Sequence, residues 1–449
     1  MKSAAVATLL FTHALRFRSL VRLPATPFLL VTGTRAFMHL MTFLVTISLA
    51  RELGPAGFGI YALAVLVGTS LSELLLGTGV DMAAVRLSAP YWQEYPERAW
   101  SVFRLVGLAK IALGLGVFLF GFFGADFFGS VLLHRPESAI ALRTAAVAVL
   151  ALALTEFALS ILQARQRFGL LAALGVGVAL IRAVPLLILI ILYQTSVSTV
   201  LVTYACSLYL GCALSLAPSW RALVFRIRSY HEITKDLLGY TGWISLTVVF
   251  GTLANIADTL ALTYLKGPQT VGIYAAARTF ATGVTVLTMA SMAVLLPTFG
   301  QMTDHRTRRQ AIKNAAYPIA GCALILALGI IFTASYLVKT FYGGHYLEAI
   351  PVLKVLSCAY SLELATTTLA VFLLVENRPD VLAKATAVGL LVALIGYAWL
   401  IPSLGAFGAA LVLLGGRLVS TVICLIWLAS ALSLERPTSG VVPDVLRLP

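Results

Sequence analysis

Charge is scarce in this sequence. Asp, Glu, Lys and Arg make up 11% of its 449 residues, and 32 basic residues outnumber 18 acidic ones, where a soluble domain carries about a quarter of its residues as charges. So thin a supply excludes an ordinary soluble domain. Cysteine is also sparse: Cys206, Cys212, Cys322, Cys358 and Cys424 lie inside apolar runs without paired spacing. That pattern excludes a disulfide framework and a thiolate metal site, and leaves buried, inert thiols. An HExxH helix, a glycine-rich phosphate loop and a nucleophile elbow are all missing. Long external loops are missing too, since 125–139 and 339–350 are the longest expected on the outer side and carry no paired carboxylates. A membrane glycosyltransferase, polymerase or ligase needs larger loops bearing catalytic groups, so the chain is read as not an enzyme, with no cofactor and no bound metal.

Apolar sequence is what the chain has in abundance. It is 60% hydrophobic, with mean hydropathy +0.96. A spanning helix needs about 20 mostly apolar residues. Such runs recur at 28–49, 58–80, 102–124, 140–162, 170–193 and 198–220, and again at 239–263, 271–297, 314–338, 351–375, 381–401 and 407–432. Barrel strands alternate and do not give such runs. The sequence therefore predicts an all-α integral membrane protein of about twelve transmembrane helices.

The net charge of +14 does not signal nucleic acid here, because the basic residues gather in short loops beside the apolar runs. Lysine and arginine collect on the cytoplasmic side of a membrane protein. With the N-terminus inside, the inner segments hold 21 of them and the outer loops only Arg51, Arg135, Lys266 and Lys339. That distribution predicts twelve spans with both termini cytoplasmic, and the inner basic loops attract anionic membrane lipids. Residues 1–27 are expected to form a basic cytoplasmic lead, since Arg16, Arg18 and Arg22 follow its apolar stretch and argue against a cleaved export signal. The remaining divisions are an N-terminal bundle at 28–220, a basic cytoplasmic connector at 221–238, a C-terminal bundle at 239–432 and a cytoplasmic tail at 433–449.

One stretch occurs twice. GPAGFGIYA at 54–62 returns as GPQTVGIYA at 267–275, matching at seven of nine positions when Phe58 and Val271 are counted as equivalent. Both copies join the first and second helices of their halves on the outer side. Six spans is an even number, so the second half enters the membrane with the orientation of the first. The prediction is two six-helix parallel repeats facing a central cavity, a plan common in transporters. Proline and glycine stop one helix and start the next, while the small Gly-Ile-Tyr-Ala face permits close helix contact.

Polar residues stripe four helices at intervals of three and four. Helix one carries Thr32, Arg35, His39, Thr42 and Thr46; helix two Thr69, Glu73, Gly77 and Asp81; helix seven Thr247, Gly251, Asn255 and Asp258; helix eight Tyr274, Arg278, Thr282 and Thr285. These are the first and second helices of each half, so facing repeats gather the stripes around one cavity. Arg35 and Glu73 fall at similar depth near the inner end and are expected to pair, as are Asp258 and Arg278 near the outer end. A 213-residue shift puts Val248 and Val286 opposite Arg35 and Glu73, and Val45 and Val65 opposite Asp258 and Arg278. Each half thus supplies charge at its own depth. Charges at bilayer depth are costly and mark substrate or ion paths, and arginine grips phosphate oxygens through two parallel hydrogen bonds. The candidate substrate contacts are Arg35, Arg278, Tyr274, Asn255 and Thr282. Glu73, Asp258 and Glu363 are the carboxylates for charge pairing or for coupling to H+ or Na+. Arg182 and Glu156, outside the stripes on adjacent helices, are expected to pair.

The GPAGFGIYA loop, the VGIYAAAR segment at 271–278, the LLP at 295–297 and the two six-helix halves together resemble the polysaccharide flippases. These belong to the multidrug, oligosaccharidyl-lipid and polysaccharide exporter superfamily. The resemblance implies two bundles in a V around a cavity that opens to either side in turn. It implies a substrate that is an undecaprenyl-pyrophosphate-linked oligosaccharide, moved from the cytoplasmic to the outer leaflet of a bacterial inner membrane. A monomeric transport unit, working beside a polysaccharide polymerase and export machinery, is implied as well. Lipid II flippases are similar through the tyrosine-to-arginine stretch at 274–278, but they usually carry extra helices and more basic residues in the first two helices. A cation-coupled drug antiporter would share the fold, yet its site favours carboxylates and aromatics around a cation.

Overall fold

In lipid, an apolar run has no water to satisfy its backbone, so it closes its own hydrogen bonds as a helix. The computed structural model describes residues 25–74, 80–81, 84–85, 88, 91–92, 95–192, 195–219, 230–300, 305–376 and 378–434, and among these no strand occurs. The N-terminal half consists of α1 (Ala25–Leu74), α2 (Pro96–Phe127), α3 (Ala139–Ala164), α4 (Phe168–Leu192) and α5 (Val197–Leu216). The C-terminal half consists of α6 (Tyr230–Lys266), α7 (Pro268–Ala281), α8 (Thr285–Gly300), α9 (His305–Phe341), α10 (Ala349–Val375) and α11 (Pro379–Leu434).

The twelve expected spans are recovered, with some shared and one broken. Nine helices among the described residues are long and apolar enough to cross a membrane. Two of them are double: α1 bends at Gly54, whose φ is 64°, and α11 bends at Gly405, whose φ is 55°. Glycine adopts such positive angles far more readily than a residue with a β-carbon. The remaining span is the eighth, expected to be continuous over 271–297. It is instead split into α7 and α8 by a 3-10 turn, Thr282–Val284. Gly283 stands in that turn, and the hydroxyls of Thr279, Thr282 and Thr285 donate back to the carbonyls of Ala275, Thr279 and Thr282. Hydroxyls bonded back to the preceding turn loosen the ordinary ladder.

The helix that carries the seventh span, α6, begins at Tyr230, nine residues before the apolar run expected at 239–263. Most of the expected lead at 1–27, the first part of the connector at 221–238 and most of the tail at 433–449 lie outside the described residues.

The duplicated loops meet each other. Gly54 and Gly267 share one geometry, with φ of 64° and 89° and ψ of 176° and 177°. Each is followed by a proline, and Pro268 occupies the first turn of α7, where its missing N–H costs nothing. Beyond the turn, α1 and α7 cross backbone against backbone. A β-carbon on Gly59 would lie 1.8 Å from the Pro268 carbonyl oxygen, and one on Gly272 would lie 1.9 Å from that of Pro55.

This end of the molecule, the loop end, is also where the halves are stitched together. Arg51 donates to the Thr340 carbonyl at 2.5 Å, the Tyr346 hydroxyl donates to the Ala50 carbonyl at 2.8 Å, and Arg135 packs over Gly267. Phe43 stacks edge-on against Phe280 at 5.2 Å, and Phe58 meets Tyr346 at 6.5 Å. Together these rings plug the loop end.

Candidate functional site

Two cavities adjoin, one between the halves and one walled by the N-terminal half with Met289 from the other. The smaller, about 250 Å³, lies toward the plugged end, and the larger, about 580 Å³, adjoins it; both are walled in part by Met38, Thr42 and Thr69 of α1. The first limb of α1 supplies alternate turns of polar residue to this wall because its stripe repeats at helical spacing.

Arg278 reaches the smaller cavity from α7, together with Tyr274 and Thr282. Behind it, Asp258 of α6 is completely buried. Its carboxylate accepts from the Thr259 amide at 2.5 Å, the Thr259 hydroxyl at 2.9 Å and the Tyr274 hydroxyl at 2.6 Å. Arg278 completes the set with an ion pair at 3.3 Å and a hydrogen bond to the Asn255 carbonyl at 3.1 Å. A buried charge needs both a counter-charge and filled lone pairs, and Asp258 has both. The carboxylate is thereby committed to holding Arg278 in place. The repeat equivalents Val45 and Val65 line the same cavity.

Asn255 enters through its backbone carbonyl, and its side chain lines neither cavity. Tyr274 is fully buried and bonds to Asp258, so it supports the arginine.

Arg35 and Glu73 both line the larger cavity, with His39, but no ion pair within 4 Å joins them among the described residues. The expected pairing is corrected. Arg35 instead lies 3.9 Å from the Met289 sulfur, and Glu73 accepts from the Thr252 hydroxyl of the other half at 3.2 Å. Helix crossing explains the difference: equal depth along two helices does not bring their side chains together. The expected Arg182–Glu156 pair is likewise not made. Glu156 lines the larger cavity and Arg182 the smaller.

Glu363 lines neither cavity. It pairs at 2.7 Å with Arg417, whose guanidinium lies 4.2 Å over the Tyr360 ring. A further pair was not expected: Lys110 and Asp81, both buried, meet at 2.7 Å on the wall of the larger cavity. The sequence signal for it was a lysine isolated in an apolar run and an aspartate at a helix end. Among the described residues, no cluster of His, Cys, Asp and Glu has metal-binding geometry.

The architecture now has relatives. Residues 28–303 match the polysaccharide biosynthesis protein family, more than half of the chain. The chain belongs to that family. No curated protein matches its sequence. Solved structures share its fold. A multidrug resistance MATE family transporter of the MOP superfamily, in an inward-facing conformation, superposes with a TM-score of 0.73 at 15% identity, over 90% of this chain and 96% of that one. The lipid II flippase MurJ, in an inward closed conformation, gives 0.72 at 13% identity, over 88% and 86%. A MOP superfamily transporter from Pyrococcus furiosus gives 0.64 at 14%, over 92% and 97%. This member of the polysaccharide biosynthesis family is therefore a multi-pass membrane protein with the twelve-helix fold of MOP superfamily transporters.

Proposed function

We propose that the protein is a flippase that moves an undecaprenyl-pyrophosphate-linked oligosaccharide from the cytoplasmic to the outer leaflet of the bacterial inner membrane, for synthesis of surface polysaccharide such as O-antigen or exopolysaccharide. The observation that carries this is Arg278, locked by Asp258 at the wall of a cavity between the two halves. A fixed guanidinium in a low-dielectric site suits a diphosphate. Family membership and the shared fold support the same reading.

The 21 to 4 distribution of basic residues supports an orientation with the loop end outside and both termini inside. Arg35, on the larger and inner cavity, then meets the headgroup first, and Arg278 holds it deeper while the polyprenyl tail stays in lipid. Rocking of the halves exposes the other side. Glu73 is the carboxylate placed for coupling to H+ or Na+, because Asp258 is committed to Arg278 and Glu363 to Arg417. A polysaccharide polymerase and export machinery would take the delivered product.

Translocation of a polyprenyl-pyrophosphate oligosaccharide into the outer leaflet of vesicles tests the reading. Losing one charge-assisted arginine contact, Arg278→Gln is expected to slow it by about tenfold to a hundredfold in protein that still folds. Undiminished translocation by Arg278→Gln removes the arginine from the site. A second reading, a cation-coupled drug antiporter, is favoured by Glu73, Asp81 and Glu156 on the larger cavity. Export of a cationic dye, with no lipid-linked oligosaccharide moved, would select it.

A further inference from the structure

The smaller cavity is lined by two arginines and no carboxylate. Arg278 comes from α7 of the C-terminal half, and Arg182 from α4 of the N-terminal half. The larger cavity is different, because its Arg35 and Lys110 stand among Glu73, Asp81 and Glu156. An anion crossing between the two finds its strongest attraction in the smaller one.

The two arginines are not equivalent. Arg278 shares its charge with Asp258 at 3.3 Å, whereas no carboxylate lies within 4 Å of Arg182 among the described residues. An intramembrane arginine without a counter-ion is costly, and a ligand that supplies negative charge removes that cost. Two features of α4 bear on how Arg182 is presented to the cavity. Ala179, Ala183 and Leu186 share its face and line the same cavity. Pro185, inside the helix, has no N–H to give to the Ile181 carbonyl, which loosens the turn that holds Arg182.

Tyr204 adds an independent sign. It is 2% exposed, it lines this cavity beside Arg182, and its hydroxyl proton has no acceptor among the described residues. Arginine is only a donor, so it cannot accept that proton; phosphate oxygens are only acceptors, and can.

We propose that Arg182 is a diphosphate-binding residue, and that Arg182 and Arg278 clamp the diphosphate from opposite halves with the Tyr204 hydroxyl as a third donor. This rests on the flippase reading and adds the seat of the headgroup to it. A headgroup held from both halves draws them together over the cargo, so the diphosphate itself becomes the link between binding and rocking.

Binding of inorganic pyrophosphate to the purified full-length protein in detergent is the test. Arg182→Gln is expected to weaken binding by about tenfold to a hundredfold, and Arg182→Lys less, because the charge survives without the fork. Tyr204→Phe, which keeps the shape, is expected to weaken it by about fivefold, and it decides the matter should Arg182→Gln fail to fold. Replacing the exposed Lys354 by Gln, outside both cavities, is expected to change nothing. Unaltered pyrophosphate binding in folded Arg182→Gln, or in Tyr204→Phe if the former does not fold, overturns the assignment. So does the absence of pyrophosphate binding in the native protein. Weakened pyrophosphate binding in a protein that moves no lipid-linked oligosaccharide would keep the clamp and discard the cargo.

Discussion

A methyl group added at Gly59 or Gly272 is expected to break the seal at the loop end. The new β-carbon would fall 1.8 Å from the Pro268 carbonyl oxygen in one case and 1.9 Å from that of Pro55 in the other. Both obstacles are backbone atoms on the first turn after a proline, so no side-chain rotation relieves the overlap. The helices must move apart. Overpacking of this kind costs about 1–3 kcal/mol, enough to shift a two-state equilibrium by roughly 5- to 150-fold. The cost falls only on the arrangement in which α1 and α7 cross, so Gly59→Ala and Gly272→Ala favour the state open at the loop end. Spin labels at Glu52 and Lys266, on opposite halves and both exposed, report it once the five native cysteines are replaced. A new, longer distance is expected in both variants and transport is expected to fall. Gly251→Ala, where a β-carbon meets open space, is the control. Distances unchanged from the native protein in both variants would show that the crossing does not form the seal.

Removing Lys110 is expected to destabilise the protein by about 3–5 kcal/mol, because it strands a buried carboxylate. Its ammonium is 2.7 Å from Asp81 and 3.4 Å from the Ala153 carbonyl, and both partners are almost wholly enclosed. The other Asp81 oxygen has no hydrogen-bond partner among the described residues, so the lysine is its principal compensation. Lys110→Met is expected to lower the melting temperature in detergent substantially. The double variant Lys110→Met with Asp81→Asn is expected to recover most of the loss, since it removes the stranded charge along with its partner. Equal melting of Lys110→Met and the native protein would mean that Asp81 is neutral or hydrated and that the pair carries no stability.

The architecture was legible because each span is a long apolar run and because residues 54–62 and 267–275 repeat. Composition alone could not show that the two loops touch, but the glycines in each copy were the signal of close approach. The break in the eighth span was harder to see. Gly283 among Thr279, Thr282 and Thr285 loosens the helix, yet such residues occur in unbroken spans too, and packing decides between the outcomes. At the site, the stripes picked out Arg278, Arg35 and Glu73, which line the cavities. Their pairing was not legible, because spacing fixes depth along a helix and not the angle at which helices cross. Arg182 escaped the stripe argument because α4 carries no other polar residue on its face; its signal was a lone charge three residues before Pro185. Lys110 and Asp81 are 29 residues apart on different elements, and no periodicity links them.

The crossing of the two loops has the form of an isologous interface. Residue 59 meets 268 while residue 272 meets 55, as the same patch does on both protomers of a two-fold dimer. It is the contact by which two identical six-helix chains would associate, made here within one polypeptide whose halves differ elsewhere. The arginines, valines and carboxylates facing the cavity lie where that symmetry has been abandoned, whereas the glycine-proline crossing lies where it has been preserved.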